Sequence, residues 1–116
     1  MKKVFYLSTC DSNKRILKEL NLSSKFIKQD IKIEPISKKE LERLYEFTNS
    51  YEELVNKRSR LYINRKLKSK KLKEVDFKNL ILEHYTFLKR PVLINDDQIF
   101  IGNSKKIVAA ALESLL

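Results

Sequence analysis

Apolar and polar positions change rhythm several times along the chain, and the changes divide it into elements. Residues 3–7 form a nearly continuous apolar run, the pattern of a short strand buried on both faces. Thr9-Cys10-Asp11 ends it. From Asp11 the spacing becomes helical, with Ile16, Leu17 and Leu20 along one stripe, until Asn21 and the serines 23 and 24 interrupt it. Residues 26–33 read as a second strand, closed by Pro35. Strand, helix and strand make a β-α-β unit, whose strands are expected to run parallel with a right-handed crossover.

Ser37-Lys38-Lys39-Glu40 has the form of a capping box, a serine acceptor for free amides with a glutamate three residues later. Leu41, Leu44, Tyr45 and Thr48 follow on one stripe. A similar signal at Ser50-Tyr51-Glu52-Glu53 predicts a second short helix, and residues 56–74 are basic and loosely patterned. The clearest helix is expected to open at Asp76 and to carry Phe77, Leu80, Ile81, His84, Tyr85 and Leu88. After Arg90-Pro91, two short apolar strands, 92–94 and 99–101, flank the polar turn 95–98 as a hairpin. Gly102 ends the hairpin, expected where a side chain would clash, and a last helix carries Ile107, Val108, Ala111, Leu112 and Leu115. A β-α-β unit, a helical insert over about 37–88, then β-β-α is the order of an α/β thioredoxin-like fold with a mixed four-stranded sheet.

Composition narrows the class. A chain of 116 residues, 42% apolar with one Gly and two Pro, has the size and make-up of a single globular domain. No apolar run approaches the ~20 residues of a membrane span, and the first residues lead into a strand rather than a secretory leader. With one cysteine there is no disulfide framework, which agrees with a cytoplasmic protein; a monomer is expected. One Cys and one His supply no metal-ligand set, and one Gly excludes a glycine-rich nucleotide loop.

The net charge of +10 is concentrated between Lys57 and Lys73, a stretch without an acidic residue. Such a block attracts nucleic acid or an acidic partner, or it is simply a solvated face. Only Tyr62 interrupts it with an aromatic ring, so the stacking platform of a single-strand binder is missing.

The chemistry centres on Cys10. A thiol immediately before a helix faces free amides and the positive end of the helix dipole, both of which favour thiolate. The same amides suit a tetrahedral oxyanion, with Lys14 adding charge. His84, on an apolar stripe, reads as a packed residue rather than a base.

The motifs resemble those of a known family. Thr9-Cys10-Asp11-Ser12-Asn13-Lys14-Arg15 resembles the active-site turn of the arsenate reductase family, which includes reductase-like members and the Spx-type transcriptional regulators. Glu34-Pro35-Ile36-Ser37 resembles the entry to that family's helical insert, and Lys57-Arg58-Ser59-Arg60-Leu61-Tyr62 its Arg-Ser-x-x-aromatic turn. Leu88-Lys89-Arg90-Pro91-Val92-Leu93-Ile94 is similar to its Arg-Pro strand, and Ile101-Gly102-Asn103 completes the series.

The resemblance implies a glutathione/glutaredoxin-coupled oxidoreductase without a bound cofactor. Cys10 would attack an oxyanion contacted by Asn13, Lys14, Arg58 and Arg90, beside a cis Pro91. With no second cysteine, the resolving thiol comes from outside, from glutathione with glutaredoxin or thioredoxin as electron donor. The chain departs from the arsenate reductases at Asn103, where a third arginine is expected. The alternative it implies is an Spx-like regulator that binds RNA polymerase, although the Cys-x-x-Cys switch of those proteins has Asn13 at its second position.

Overall fold

The computed structural model describes residues 1–116. They form two compact units, one of residues 1–34 with 90–116 and the other of residues 35–89. No helix is long and apolar enough to cross a membrane.

The first unit is built on a four-stranded mixed sheet in the order β2-β1-β3-β4. β1 (Lys2–Tyr6) pairs parallel with β2 (Ile27–Asp30) and antiparallel with β3 (Val92–Asn95), which pairs antiparallel with β4 (Gln98–Ile101). The two helices are α1 (Asp11–Leu20) and α5 (Lys105–Ser114). This is the mixed thioredoxin-like sheet expected from the order of elements.

Strand alternation places Val4, its partner Leu93 and, in turn, Phe100 on one face. There they join Ile16 and Leu20 of α1, Val108 and Ala111 of α5, and Phe26 in one apolar core. Phe5, Val92 and Ile94 point to the opposite face and are buried as well. That explains why β1 and β3 read as continuous apolar runs, whereas the edge strand β4 keeps no fully buried residue.

β2 is shorter than the 26–33 run. Its ladder to β1 ends at Asp30, and Ile31 closes the pairing by donating its amide to the Tyr6 carbonyl at 2.9 Å. The hairpin turn is also tighter than expected. Asn95 pairs with Gln98, so only Asp96 and Asp97 turn the chain, Asp96 at φ +58°, a conformation aspartate tolerates. Gly102 is required for another reason than the expected clash. A side chain there meets nothing within 4 Å, but the residue sits at φ +99°, which L-residues rarely adopt.

The second unit contains α2 (Lys38–Thr48), α3 (Arg60–Asn64) and α4 (Glu74–Glu83) with short 3₁₀ turns at Glu52–Leu54, Leu67–Ser69 and Tyr85–Phe87. The capping box is present: Glu40 donates its amide to Ser37 Oγ at 3.0 Å, and Ser37 donates its own to the Glu40 carboxylate at 2.9 Å. The basic stretch contains α3, which its weak patterning did not predict. Ser59 caps that helix by accepting from the Tyr62 amide at 3.2 Å, and Tyr62 is buried.

α4 differs at both ends from the predicted helix. It begins at Glu74, and Asp76 serves as its third residue, accepting from the Lys73 amide at 2.7 Å. It stops at His84, which is extended at φ −152°, so His84, Tyr85 and Leu88 do not continue the helical stripe. His84 Nδ1 accepts from the Thr86 amide at 3.1 Å, the ring stacks on Tyr85, and the chain turns into a 3₁₀ segment. Leu88 then pairs with Val55 in an isolated bridge, flanked by bonds from Asn56 to Phe87 and from Lys89 to Leu54.

Candidate active site

The site grows from the way β1 hands over to α1. After Tyr6 the chain leaves the sheet through Leu7, Ser8 and Thr9, and Cys10 takes the N-cap position of α1 at φ −96°, ψ 116°. The Cys10 amide donates to the Leu7 carbonyl at 3.1 Å, and its carbonyl accepts the first helical bond, from Lys14, at 3.0 Å. Cysteine is an unusual N-cap, since it lacks the oxygen that Ser, Thr, Asp or Asn uses to accept from the first turn. Its sulfur stands where that oxygen normally does, beside the Ser12 and Asn13 amides of the first turn.

Sγ has specific neighbours. The Ser12 hydroxyl lies 3.3 Å away, and the Asn13 carboxamide donates to the sulfur at 3.5 Å. Partial burial pushes the thiol up. The Ser12 hydroxyl, the Asn13 and Ser12 amides and the Arg90 guanidinium together outweigh that effect, so Cys10 gives up its proton more readily than an ordinary thiol.

Arg90 reaches this neighbourhood through the sheet. β3 runs antiparallel to β1 with Val92 opposite Phe5, so residues 90 and 91 lie at the end of the sheet from which α1 departs. The Arg90–Pro91 bond is cis, and the Pro91 carbonyl accepts from the Gly102 amide at 2.9 Å. Pro91 is buried and Arg90 half-buried.

The remaining predicted residues have different settings. Asn13 is fully buried inside the first turn of α1. Lys14 is exposed, with its ammonium 3.9 Å from the Asp11 carboxylate on the outer side of the helix. Arg58 belongs to the second unit, where it is exposed and its amide donates to the Asn56 side chain at 3.1 Å. Asn103 is exposed in the turn before α5.

Three contributors escaped the sequence reading. Ser12 is one; its signal was a hydroxyl two residues beyond the cysteine at a helix start. The others are Ser8 and Asp30. The Ser8 hydroxyl donates to the Asp30 carboxylate, and the Ser8 amide approaches the same group at 3.5 Å. The loop before Cys10 is thereby fastened to the end of β2. No local pattern marks that pair, because Ser8 lies in the loop after β1 and Asp30 at the end of β2.

A mixed α/β sheet with its one thiol at the head of the first helix and a cis proline at the start of the third strand defines a thioredoxin-like protein. The chain matches the ArsC family over residues 5–111 and belongs to that family. Among solved structures, the YffB protein is similar at 22% identity with a TM-score of 0.74, covering 97% of this chain and 99% of that one. An arsenate reductase from Vibrio cholerae is similar at 20% identity with a TM-score of 0.71, over 97% of each chain. An arsenate reductase (ArsC) related protein from Brucella melitensis gives 20% identity and a TM-score of 0.66, over 94% of this chain and 92% of that one. At these identities the likeness is one of fold. Curated proteins give no match.

Proposed function

We propose that this protein is a thiol-dependent oxidoreductase of the arsenate reductase type, with Cys10 as nucleophile and an external thiol as resolver. One observation carries the reading: the chain's single thiol caps α1, where a hydroxyl, helix amides and Arg90 favour its thiolate. Family membership supports the same class of chemistry. An oxyanion drawn to this end of α1 meets N–H donors of the helix and the paired donors of a guanidinium.

One cysteine requires an external resolving thiol, and the steps we propose take the course of a glutathione/glutaredoxin-coupled reductase. The Cys10 thiolate attacks arsenic(V) and displaces an oxygen as water, forming an S–As bond. Glutathione adds to the arsenic with loss of a second water. A glutaredoxin thiol then attacks the glutathione sulfur, giving a mixed disulfide, while the electron pair of the broken S–As bond remains on arsenic and reduces it to the trivalent state. Hydrolysis of the remaining Cys10–As bond releases arsenite and restores the thiol. Both electrons come from thiols outside the chain, as they must when it contains a single cysteine.

The test is arsenate-dependent NADPH oxidation with glutathione, glutaredoxin and glutathione reductase, run in parallel with thioredoxin and its reductase. Activity in the wild type and none in Cys10→Ser is the expected result. Turnover by purified Cys10→Ser, or silence of the wild type with both donors, overturns the arsenate reading.

A second reading, an Spx-like regulator that binds RNA polymerase, draws on the second unit. Arg58 and Arg60 flank the buried capping residue Ser59, and the basic residues from Lys57 to Lys73 are all exposed. Recovery of polymerase subunits by the wild type, and their loss with Arg58→Glu/Arg60→Glu, would favour this alternative.

A further inference from the structure

Asn13 is the one polar side chain of α1 that is fully buried, and both ends of its carboxamide are engaged. Its oxygen accepts from the Leu7 amide at 3.1 Å. That contact fixes the orientation of the group, because a flipped amide would set an NH₂ against an N–H donor. The nitrogen is therefore the end that faces Cys10 Sγ, at 3.5 Å. Leu7 is itself anchored, since its carbonyl accepts from the Cys10 amide at 3.1 Å. Leu7, Cys10 and Asn13 thus form a closed set of hydrogen bonds in which the sulfur is the one acceptor that can gain or lose a proton.

We propose that Asn13 is a positioning residue for the Cys10 thiolate, its carboxamide held by the Leu7 amide so that Nδ2 points a fixed donor at the sulfur. A donor aimed at sulfur strengthens when the sulfur becomes anionic, so it favours thiolate over thiol. Being buried, the same group offers its side chain to Cys10 and not to a ligand in solvent.

The position also has a consequence for the exchange chemistry. Asn13 stands third after Cys10, where a Cys-x-x-Cys pair would carry its second thiol. The chain has a stabilising donor at the place from which such a pair resolves its own adducts. A mixed disulfide on Cys10 is therefore broken by an external thiol, and the stabilised Cys10 thiolate is a good leaving group in that step. This consequence rests on the thiol chemistry proposed above; the hydrogen-bond geometry does not.

The test reads the thiol and requires no arsenate activity. The rate of Cys10 alkylation by iodoacetamide is measured against pH for the wild type, Asn13→Asp and Asn13→Ala. Asn13→Asp keeps an oxygen for the Leu7 amide but replaces the donor with an acceptor. The expected result is an apparent pKa raised by about one unit or more, with roughly tenfold slower alkylation at neutral pH. Asn13→Ala is expected to fall between the two. A folded Asn13→Asp protein whose alkylation profile matches the wild type overturns the proposal. So does an unchanged profile accompanied by a raised KM in the reductase assay, which would assign Asn13 to substrate. Should both variants fail to fold, the wild type still decides: the Asn13 side-chain NH₂ resonances must shift with the titration of Cys10, and resonances indifferent to it overturn the proposal. Failure of the arsenate assay with a shifted alkylation profile leaves the positioning role standing and removes only the substrate.

Discussion

The Ser8 hydroxyl donates to the Asp30 carboxylate, tying the loop that leads into Cys10 to the far end of the neighbouring strand. Asp30 also accepts from the Lys32 amide at 3.1 Å, so one carboxylate organises the ends of two adjacent connections. Burial pushes its pKa up, but the Ser8 hydroxyl, the Lys32 and Ser8 amides and the Lys32 charge hold it below the usual aspartate range. The unfolded chain therefore takes up this proton at a higher pH than the folded one. The stabilisation is complete above the ordinary aspartate value and is lost as pH falls through the lower folded value. Asp30→Ala should cost about 1.5–3 kcal/mol in urea denaturation at neutral pH. The difference from wild type should vanish in strong acid; a difference that persists there would mean the carboxylate charge is not its source.

Ser12 is expected to act on the thiol separately from Asn13, since its hydroxyl approaches Sγ from its own position in the first turn. Ser12→Ala should raise the thiol pKa and slow alkylation at neutral pH, with the maximal rate at high pH unchanged. Ser12→Thr, which keeps the hydroxyl, should restore the profile. A Thr variant no better than Ala would assign the effect to packing.

In the second unit, Glu74 accepts from the Tyr51 amide at 2.6 Å and the Glu52 amide at 3.2 Å, joining the start of α4 to the turn that begins at Glu52. Two charge-assisted bonds to otherwise free amides are lost together in Glu74→Ala, at a cost of about 1–3 kcal/mol. Amide hydrogen exchange should report the change as faster exchange at Tyr51 and Glu52. Unaltered protection at those two amides would contradict the contact.

Gly102 offers a test of conformation against space. A methyl group there touches nothing, yet the backbone is at φ +99°. Gly102→Ala is therefore expected to cost about 1–3 kcal/mol from backbone strain alone. Thermal denaturation that finds the variant as stable as wild type would show that the turn relaxes to negative φ.

The local features were legible because their causes are local. The capping box at Ser37 and Glu40, the stripe of Ile16, Leu17 and Leu20, and the apolar runs of β1 and β3 each depend on residues within one or two turns of each other. Cys10 could be placed at a helix start for the same reason. α3 was hidden because a helix as short as Arg60–Asn64 carries no full amphipathic repeat, and Ser59 alone marks its start. The end of α4 was misplaced because His84 and Leu88 have helical spacing while the bond from the Thr86 amide to His84 and the bridge of Leu88 with Val55 draw the chain elsewhere.

By itself, then, the sequence determined the order of elements, the sheet's apolar strands and a lone thiol at the head of the first helix. Periodicity and capping are short-range, and they act before any strand finds its neighbour. Only the tertiary structure decided what surrounds that thiol. Arg90 reaches its neighbourhood because β3 pairs antiparallel with β1, and Ser8 meets Asp30 because β2 pairs parallel with it. Asn13 turns its nitrogen to the sulfur because a backbone amide at Leu7 claims its oxygen. The first two contacts follow from strand pairing, which brings together groups that no local spacing relates; the Asn13 contacts span only three and six residues, and the turn from β1 into α1 decides them.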